Sequence, residues 1–401
     1  MLTGTSDHRW TIVDGEIAYA GDVGGFRGPM EFARLLGIAE VGPSERLSAA
    51  VREARAVGDE AIFVVRGLRV RPPGVNLDTI RGVDLDLRQG QCYGLAGEAG
   101  AGATTLLRAF IGLLPRGGAA SGSIRLHGEE LLGLGERAWR NVRGRQVGMV
   151  LRDPDIALDR TVRIGAQVAE TLKLHKRVRR SEVSERVALL LYEVGLSASA
   201  AGRFPRDLDP AEGRRAMLAA ALAGDPSVLL IDGGPPSLDV EEHVAFGRLV
   251  AEITRARGLA SLAISHQIGT LAPFVDEIGV LCGGLIMEQA NPVALAASPR
   301  VPYTSALLYA GPDKPPEPPS RAESRVRALD RPFYGLGVRV PAGARREPPK
   351  RPTVNEGLLI GCSFSLRCQR AVMACREHEP MPVEEPAGHR FACWNPQPAP
   401  D

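Results

Sequence analysis

Short apolar runs alternate with amphipathic segments through the middle of this 401-residue chain. Runs such as QCYGLAG, SVLLIDG and LASLAIS have the length and continuous apolarity of strands buried on both faces of a sheet. Between them lie helical patterns, one of which places four apolar residues three to four positions apart: Val183, Val187, Leu190 and Val194. This alternation predicts an α/β fold with a parallel sheet and crossover helices over residues 61–310.

The remaining patterns divide the rest of the chain. Two apolar runs flank Gly283-Gly284, which predicts a β-hairpin near the end of the α/β region. Residues 311–356 are rich in Pro and Arg, a composition typical of an extended linker. Residues 357–401 form a small module with four cysteines, whereas residues 1–60 are polar and Gly-rich and carry no pattern to which we assign a function.

Charge and composition narrow the possible binding partners and the possible cellular location of the protein. Lys plus Arg number 49 and Asp plus Glu number 47, so net charge favours neither nucleic acid nor an anionic membrane as partner. No apolar run approaches the ~18 residues of a spanning helix, and the N-terminal residues lack the pattern of a signal peptide. We therefore expect a cytosolic protein with reduced cysteines, of which Cys92 and Cys282 lie in apolar runs and are expected to be buried thiols.

The segment YGLAGEAGAGATTLLRAF, residues 93–110, has the spacing of a phosphate-binding loop between a strand and a helix. Its glycines would let backbone N–H groups face an anion, and the helix N-terminus would add partial positive charge. Ala103 stands where this pattern has its lysine, and Thr104 would bind Mg²⁺ through its hydroxyl. A tight strand-to-helix turn without a ligand is the alternative. The predicted nucleotide-binding residues of the loop are Gly97, Glu98, Ala99, Gly100, Ala101, Gly102, Ala103, Thr104 and Thr105.

Four further segments, taken in order, resemble the ATP-binding subunits of ABC transporters, specifically those of di- and oligopeptide importers. They are residues 147–175 (similar to the Q-loop region), 204–240 (signature, Walker B and D-loop), 262–290 (switch histidine) and 298–308 (similar to a His-Pro-Tyr-Thr segment). The resemblance implies an ABC-type P-loop nucleotide-binding domain over residues 61–310. It also implies an antiparallel β subdomain and a helical subdomain at about residues 150–225.

The same resemblance implies ATP hydrolysis, yet the residues that would perform it are largely replaced. The Walker A lysine is Ala103, the general base after Walker B is Gly233, and the Q-loop glutamine is Arg152. A positioned base is worth ~10²–10⁴ in rate. The signature segment reads LDPAE, where Asp209-Pro210 offers a carboxylate and a residue without an N–H. Asp209 and Glu212 instead have the spacing of a capping box, with proline at the first helical position.

Other positions of the family pattern are retained. Thr104 and Asp232 would hold Mg²⁺, Asp239 lies in the D-loop, and His266 stands at the switch position. Arg152 could replace the positive charge of the missing lysine or make an ordinary surface or interdomain contact.

The resemblance also implies partners. They are a paralogous catalytic ABC ATPase subunit, transmembrane permease subunits and, indirectly, a substrate-binding protein, at the cytoplasmic face of the membrane. We expect a peripheral subunit that binds ATP and Mg²⁺ weakly or not at all and hydrolyses poorly. A non-transport pseudo-ATPase scaffold or regulator, and a weak ATPase with replacement residues, are the alternatives.

Four cysteines lie within the last 40 residues, separated by five, six and seventeen residues: Cys362, Cys368, Cys375 and Cys393. Four thiolates suit a [4Fe–4S] cluster or zinc, although structural zinc usually uses closely spaced Cys pairs. The spacing resembles the C-terminal module of peptide-importer ATPases, some of which hold a [4Fe–4S] cluster. Zinc and a module without metal are the alternatives.

Overall fold

The computed structural model describes most of the chain from residue 57 onwards, together with three short segments near the N-terminus. The predicted linker, residues 311–356, and the D-loop residue Asp239 lie outside the described residues. The described ranges are 2–3, 8–13, 16–22, 57–58, 60–174, 179–233, 240–309, 361–385 and 388–398.

Strands and helices alternate through the described ranges. The strands are β1 (Leu2–Thr3), β2 (His8–Val13), β3 (Glu16–Asp22), β4 (Ala61–Arg71), β5 (Ile80–Arg88), β6 (Cys92–Ala96), β7 (Ala119–Leu126), β8 (Glu129–Glu130), β9 (Val147–Val150), β10 (Val228–Ile231), β11 (Ala260–Ser265), β12 (Glu277–Cys282), β13 (Leu285–Ala290), β14 (Pro382–Glu385) and β15 (His389–Ala392). The α-helices are α1 (Ala103–Phe110), α2 (Glu136–Val142), α3 (Pro154–Ala157), α4 (Ile164–Leu174), α5 (Val183–Glu193), α6 (Pro210–Leu222), α7 (Val240–Arg257), α8 (Ile268–Leu271), α9 (Pro292–Ala297), α10 (Pro302–Tyr309) and α11 (Ala374–Glu377).

An eight-stranded mixed sheet with the order β14-β15-β13-β12-β6-β11-β10-β9 organises the molecule. Strands β9, β10, β11, β6 and β12 are parallel, which confirms the parallel sheet predicted from the apolar runs. Side chains of these strands alternate between two hydrophobic cores. Cys92 belongs to the core on one face and Tyr93 to the core on the other, as strand geometry requires.

A second, four-stranded antiparallel sheet with the order β5-β4-β7-β8 covers one face of the main sheet. Phe63 of β4 meets Phe110 of α1 edge to face, with ring centroids 5.1 Å apart. Helices α4, α5 and α6 contribute to the core on the opposite face. The helical pattern of Val183, Val187, Leu190 and Val194 is confirmed as α5 with Val194 as its C-cap, and all four residues are buried.

The predicted hairpin at Gly283-Gly284 is confirmed as the two-residue connection between β12 and β13. Both glycines have positive φ, +51° and +82°, the conformation that such tight hairpin turns require. A Cβ on Gly284 would lie 2.1 Å from the carbonyl oxygen of Thr79. The Gly284 N–H donates to the carbonyl of Ala101 at 2.9 Å, so the turn contacts the predicted phosphate loop.

A three-stranded antiparallel sheet, β1-β2-β3, lies near the N-terminus and was not predicted. Asp14-Gly15 stands between the apolar runs TIV and EIAYA, a sequence pattern typical of a two-residue hairpin. The pattern was therefore present but was outweighed by the polar, Gly-rich composition of residues 1–60.

The cysteine-bearing segment continues the main sheet, because β15 pairs with β13 and β14 pairs with β15. Buried Glu288 of β13 lies 2.8 Å from the Nε2 atom of His389. Arg81 of β5 donates to Glu379 at 2.7 Å, and Arg300 donates to Glu385 at 2.8 Å. These contacts fix the segment against the edge of the α/β domain.

Among the helices of the described ranges, none is at once long and apolar enough to cross a bilayer.

The hairpin contact gives a stability prediction with a matched control. Gly284→Ala and Gly128→Ala both place alanine at φ +82°, but nothing lies within 4 Å of the Cβ position at Gly128. We expect Gly128→Ala to lower the free energy of unfolding by about 1–2 kcal/mol, the cost of the left-handed conformation. Gly284→Ala should cost at least about 2 kcal/mol more, because its methyl group overlaps the Thr79 carbonyl.

Urea unfolding of the two variants measures the difference. Equal losses of unfolding free energy would contradict the described packing of the hairpin turn.

Candidate phosphate-binding site

The predicted phosphate loop connects the carboxyl end of β6 to the start of α1. The N–H of Gly97 donates to the Ser265 carbonyl at 3.2 Å, and the N–H of Ala101 donates to the Glu98 carbonyl at 3.0 Å. The N–H of Glu98 donates to the Tyr303 hydroxyl at 3.1 Å. Hydrogen bonds to β11 and α10 therefore hold the loop in its turn.

Two glycines of the loop are required by packing as well as by the phosphate pattern. A Cβ on Gly97 would lie 2.6 Å from the Leu281 carbonyl oxygen. Gly102 has φ +109°, and a Cβ there would lie 2.8 Å from Ile80. The loop keeps its shape through these neighbours, so retention of its glycines does not by itself indicate a working catalyst.

The loop side chains differ in exposure. Gly97, Ala101 and Gly102 are buried, Glu98, Ala103 and Thr105 are half-buried, and Ala99, Gly100 and Thr104 are exposed. Ala103 begins α1, whose N-cap Gly102 makes no side-chain cap and whose first turn has no acidic residue. Backbone donors and the helix dipole therefore supply the positive potential at this end of the loop.

Asp232 follows β10 directly, and its N–H donates to the Val150 carbonyl at 2.9 Å. Burial raises the pKa of its carboxyl, and the positive charge of Arg152 offsets part of that rise. The Arg152 side chain thus contributes positive potential at the predicted Mg²⁺ ligand. This contribution corresponds to one of the two roles that the sequence left open for Arg152, replacement of the positive charge of the missing lysine.

Gly233, at the position predicted for a general base, has φ +31°. A Cβ there would have space, with its nearest neighbours the Ile264 carbonyl oxygen at 3.6 Å and Arg152 Nε at 4.0 Å. The backbone, rather than lack of room, therefore opposes a side chain at this position.

His266 lies just after β11, and its Nδ1 atom is 3.0 Å from the Gly97 carbonyl oxygen. Because a carbonyl only accepts, Nδ1 carries the proton in this contact, and Nε2 of the neutral ring is then the acceptor. The fold brings His266 to the first glycine of the loop, as its predicted switch position requires.

A cavity of about 280 Å³ connects these predicted residues. Its lining includes Ala103 and Thr104 of the loop end and Asp232, Gly233 and His266. It is also lined by Arg214 of α6, which the sequence analysis missed. Arg214 and Arg215 are consecutive in sequence, and no pattern in the sequence shows which of the two faces inward.

The geometry agrees with comparisons to known proteins. A family model described as ABC transporter matches residues 80–234. A probable peptide ABC transporter ATP-binding protein of Sinorhizobium fredii is 33% identical over 317 residues, covering 78% of this chain and 88% of the relative. The chain belongs to the ABC transporter ATP-binding protein family.

Comparisons with other proteins support the same family assignment. An oligopeptide transport ATP-binding protein of Mycobacterium bovis is 31% identical over 80% of this chain, which spans half of that relative's length. The solved cbiO1 structure from Clostridium perfringens has a TM-score of 0.52 at 21% identity, covering 59% of this chain and 91% of that chain. The ADP- and Pi-bound ATP-binding cassette MJ0796 has a TM-score of 0.51 at 19% identity, covering 57% and 98%. Both structures confirm the ABC-type P-loop fold.

The segment predicted as the signature lies at the start of α6. Asp209 accepts from the Glu212 N–H at 2.7 Å, and Glu212 accepts from the Asp209 N–H at 3.2 Å. The predicted capping box and the proline at the first helical position are confirmed. The Asp209 carboxylate therefore caps its own helix.

The C-terminal module reaches the phosphate loop of the ABC domain, which the sequence did not predict. Arg367 donates to both carboxylate oxygens of Glu98, at 2.8 and 2.5 Å. The Arg367 guanidinium also lies 5.0 Å from the ring of Phe364, which packs edge to face on Tyr303. Since Tyr303 accepts from the Glu98 N–H, module and loop share one set of contacts.

The module's four cysteines are all free thiols, with Cys375 buried and the others half-buried. Burial raises the pKa of Cys362, Cys368 and Cys393, the last to about 11, and the nearby cysteines add to each rise. The thiols are thus electrostatic neighbours. Among the described residues, however, no group of three or more His, Cys, Asp or Glu side chains is arranged to hold a metal ion.

The cysteines outside the module behave as the sequence indicated. Cys92 and Cys282 are fully buried, which confirms the predicted buried thiols, and burial raises the pKa of each to about 12.

Proposed function

We propose that this chain is the hydrolysis-deficient ATP-binding subunit of a peptide or oligopeptide ABC importer. In this proposal it pairs with a catalytic paralogue on membrane permeases at the cytoplasmic face, and a substrate-binding protein delivers the cargo. Relatives named for peptide and oligopeptide transport support the substrate class. The observation that carries the deficiency is Gly233, a position without a carboxylate, in the same cavity as a phosphate loop that has Ala103 in place of its lysine.

The site residues divide into those that bind and those that would catalyse. Loop N–H groups and the N-terminus of α1 bind phosphate oxygens, and Thr104 and Asp232 hold Mg²⁺, which would neutralise charge on the terminal phosphate. His266 is oriented by the Gly97 carbonyl. Position 233 has no carboxylate to take a proton from the attacking water. The absence of a positioned base lowers the rate by ~10²–10⁴.

The family hydrolyses ATP at two composite sites, each formed by the Walker motifs of one subunit and the signature of the other. With an intact partner, this chain would give one site poor Walker residues and the other a poor signature. In the signature, Pro210 has no N–H, and the Asp209 carboxylate would face triphosphate. Two copies of this chain would carry both defects at both sites.

Ala103→Lys separates binding from hydrolysis. Position 103 begins a helix, so lysine fits its backbone, and a contact of roughly 4 kcal/mol before compensation should strengthen Mg-ATP binding by about 10- to 1000-fold. Turnover should stay about 10²–10⁴-fold below that of an ATPase with the base, both in the unmodified chain and in Ala103→Lys, because Gly233 supplies no base. Ala99→Lys, which adds the same charge at the exposed loop tip, is the matched control.

Equilibrium binding of a fluorescent ATP analogue and steady-state phosphate release report the two quantities. Phosphate release by the unmodified chain alone at about 1 s⁻¹ or faster, the range of ordinary enzymes, would refute the proposed deficiency.

We further propose that the module's cysteines hold a [4Fe–4S] cluster. Four thiols within electrostatic reach match the donor set of such a cluster, which would supply cross-linking of the module or electron transfer when bound. A single zinc ion would need sulfurs only about 3.8 Å apart, given Zn–S bonds of about 2.3 Å. Among the described residues these thiols are not arranged to hold a metal ion, so the donor set and its resemblance to the cysteine module of peptide-importer ATPases carry the proposal.

Iron content tests this proposal. Protein purified without oxygen should carry about four iron atoms per chain and a visible charge-transfer absorption, because the cluster requires all four thiolates. Cys375→Ala should lose the iron and the colour, whereas Cys282→Ala, which removes a buried thiol outside the module, should keep both. Colourless protein with one zinc per chain, or with no metal, would rule the cluster out.

A further inference from the structure

The phosphate loop carries a single charged side chain, and that side chain is negative. Residues 97–105 contain Glu98 but no other acidic residue and no lysine or arginine. An uncompensated carboxylate in this loop would repel the phosphate groups that the loop N–H groups are placed to bind. For the loop to accept an anion, the charge of Glu98 has to be offset by a group from outside the loop.

Arg367 of the cysteine module is that group. Its guanidinium donates to both carboxylate oxygens of Glu98, at 2.8 and 2.5 Å, the paired arrangement that arginine forms with carboxylates. The side chains of Arg367 and Glu98 are 54% and 37% exposed, so the pair contributes little to folding stability. Its main consequence is electrostatic, because it binds the carboxylate of the loop to the module and neutralises its charge.

The module also contacts the residue that holds the backbone of Glu98. The Glu98 N–H donates to the Tyr303 hydroxyl at 3.1 Å, and the Tyr303 ring packs edge to face on Phe364 with centroids 5.2 Å apart. Phe364 in turn lies 5.0 Å from the Arg367 guanidinium. These contacts form a closed ring, so a change at Arg367 affects both the carboxylate and the N–H of Glu98.

Contacts on either side of Arg367 in the chain anchor the module. Arg81 of β5 donates to the Ser363 hydroxyl at 2.7 Å and to the Glu379 carboxylate at 2.7 Å. The position of the Arg367 guanidinium is therefore set by the docking of the module on the ABC domain.

We propose that Arg367 is a positioning residue of the phosphate loop, which neutralises Glu98 and makes the affinity of the loop for phosphate groups depend on the cysteine module. Arg367 acts through Glu98 and does not touch the ligand. The proposal rests on the proposed function for the identity of the bound anion, Mg-ATP, whereas the contact between Arg367 and the loop is present in the chain without ligand.

The test compares two arginines of the module in the full chain. Arg367→Gln removes the charge that faces Glu98, and Arg370→Gln is the matched control. Arg370 is also exposed, but in the described chain its side chain bonds to Asn395 and Pro396 inside the module. Glu98→Gln, added to Arg367→Gln, removes the carboxylate that the first change leaves unpaired.

Calorimetric titration with Mg-ATP at low ionic strength measures the effect. Arg367→Gln should bind about three- to tenfold more weakly, the effect of one negative charge at ~8 Å in a largely aqueous setting. Arg370→Gln should keep the affinity of the unmodified chain, and the double variant should regain it to within about twofold. The loss should shrink at ~1 M salt, where the Debye length is about 3 Å. A role in folding alone would give neither the rescue nor the salt dependence.

Glu98→Gln alone serves if Arg367→Gln does not fold. It leaves Arg367 as an uncompensated positive charge beside the loop, so Mg-ATP should bind about three- to tenfold more tightly. Weaker binding by Glu98→Gln would overturn the proposal.

Amide exchange in the ligand-free chain separates this proposal from the proposed function. The Glu98 N–H should exchange at least about threefold faster in Arg367→Gln but not in Arg370→Gln. This result in a chain that binds no Mg-ATP would reject the nucleotide function and keep the hold of Arg367 on the loop. Equal exchange and equal affinity in the two variants would overturn the proposal, as would a loss of affinity that Glu98→Gln does not restore.

Discussion

Hydrogen bonds between the phosphate loop and three neighbouring elements are the constraint on which the rest of the site depends. β11 binds the loop through Gly97, α10 through the Glu98 N–H, and the β12–β13 turn through the Ala101 carbonyl. Gly97 and Gly102 cannot carry a Cβ without meeting Leu281 and Ile80. The loop shape is therefore determined by packing and is independent of the side chains that would perform hydrolysis.

That independence allows the loop to keep its shape whichever side chains stand at the positions predicted to perform hydrolysis. Ala103 in place of the lysine removes charge at a half-buried helix start, where alanine is well tolerated. Gly233 adopts a conformation that disfavours other residues, and its carbonyl accepts from buried Arg214. Among the described residues that line the cavity, the arginines are Arg152 and Arg214, and neither lies in the loop.

Local patterns predicted much of this structure from sequence. The parallel strands, the Gly283-Gly284 turn and the Asp209–Glu212 capping box each depend on a few neighbouring residues, and all three are confirmed. The order of motifs also predicted which residues meet at the loop. His266 reaches Gly97 because parallel strands end at the same edge of the sheet.

Contacts between residues far apart in the chain could not be predicted from the sequence. The inward orientation of Arg214, the pairing of β15 with β13, and the contact of Arg367 with Glu98 join residues far apart in the chain. Such contacts are selected by the three-dimensional arrangement of whole elements, which no short pattern records. They also place the cysteine module beside the phosphate loop, so the two parts share one folded unit.

The most direct measurement of the central claim is amide hydrogen exchange in the nucleotide-free chain. If neighbouring elements preform the loop, the N–H groups of Gly97, Glu98 and Ala101 exchange slowly without ligand, because each is already hydrogen-bonded within the chain. Exchange of these amides at the rate of an unstructured peptide, with protection only after Mg-ATP is added, would contradict the account.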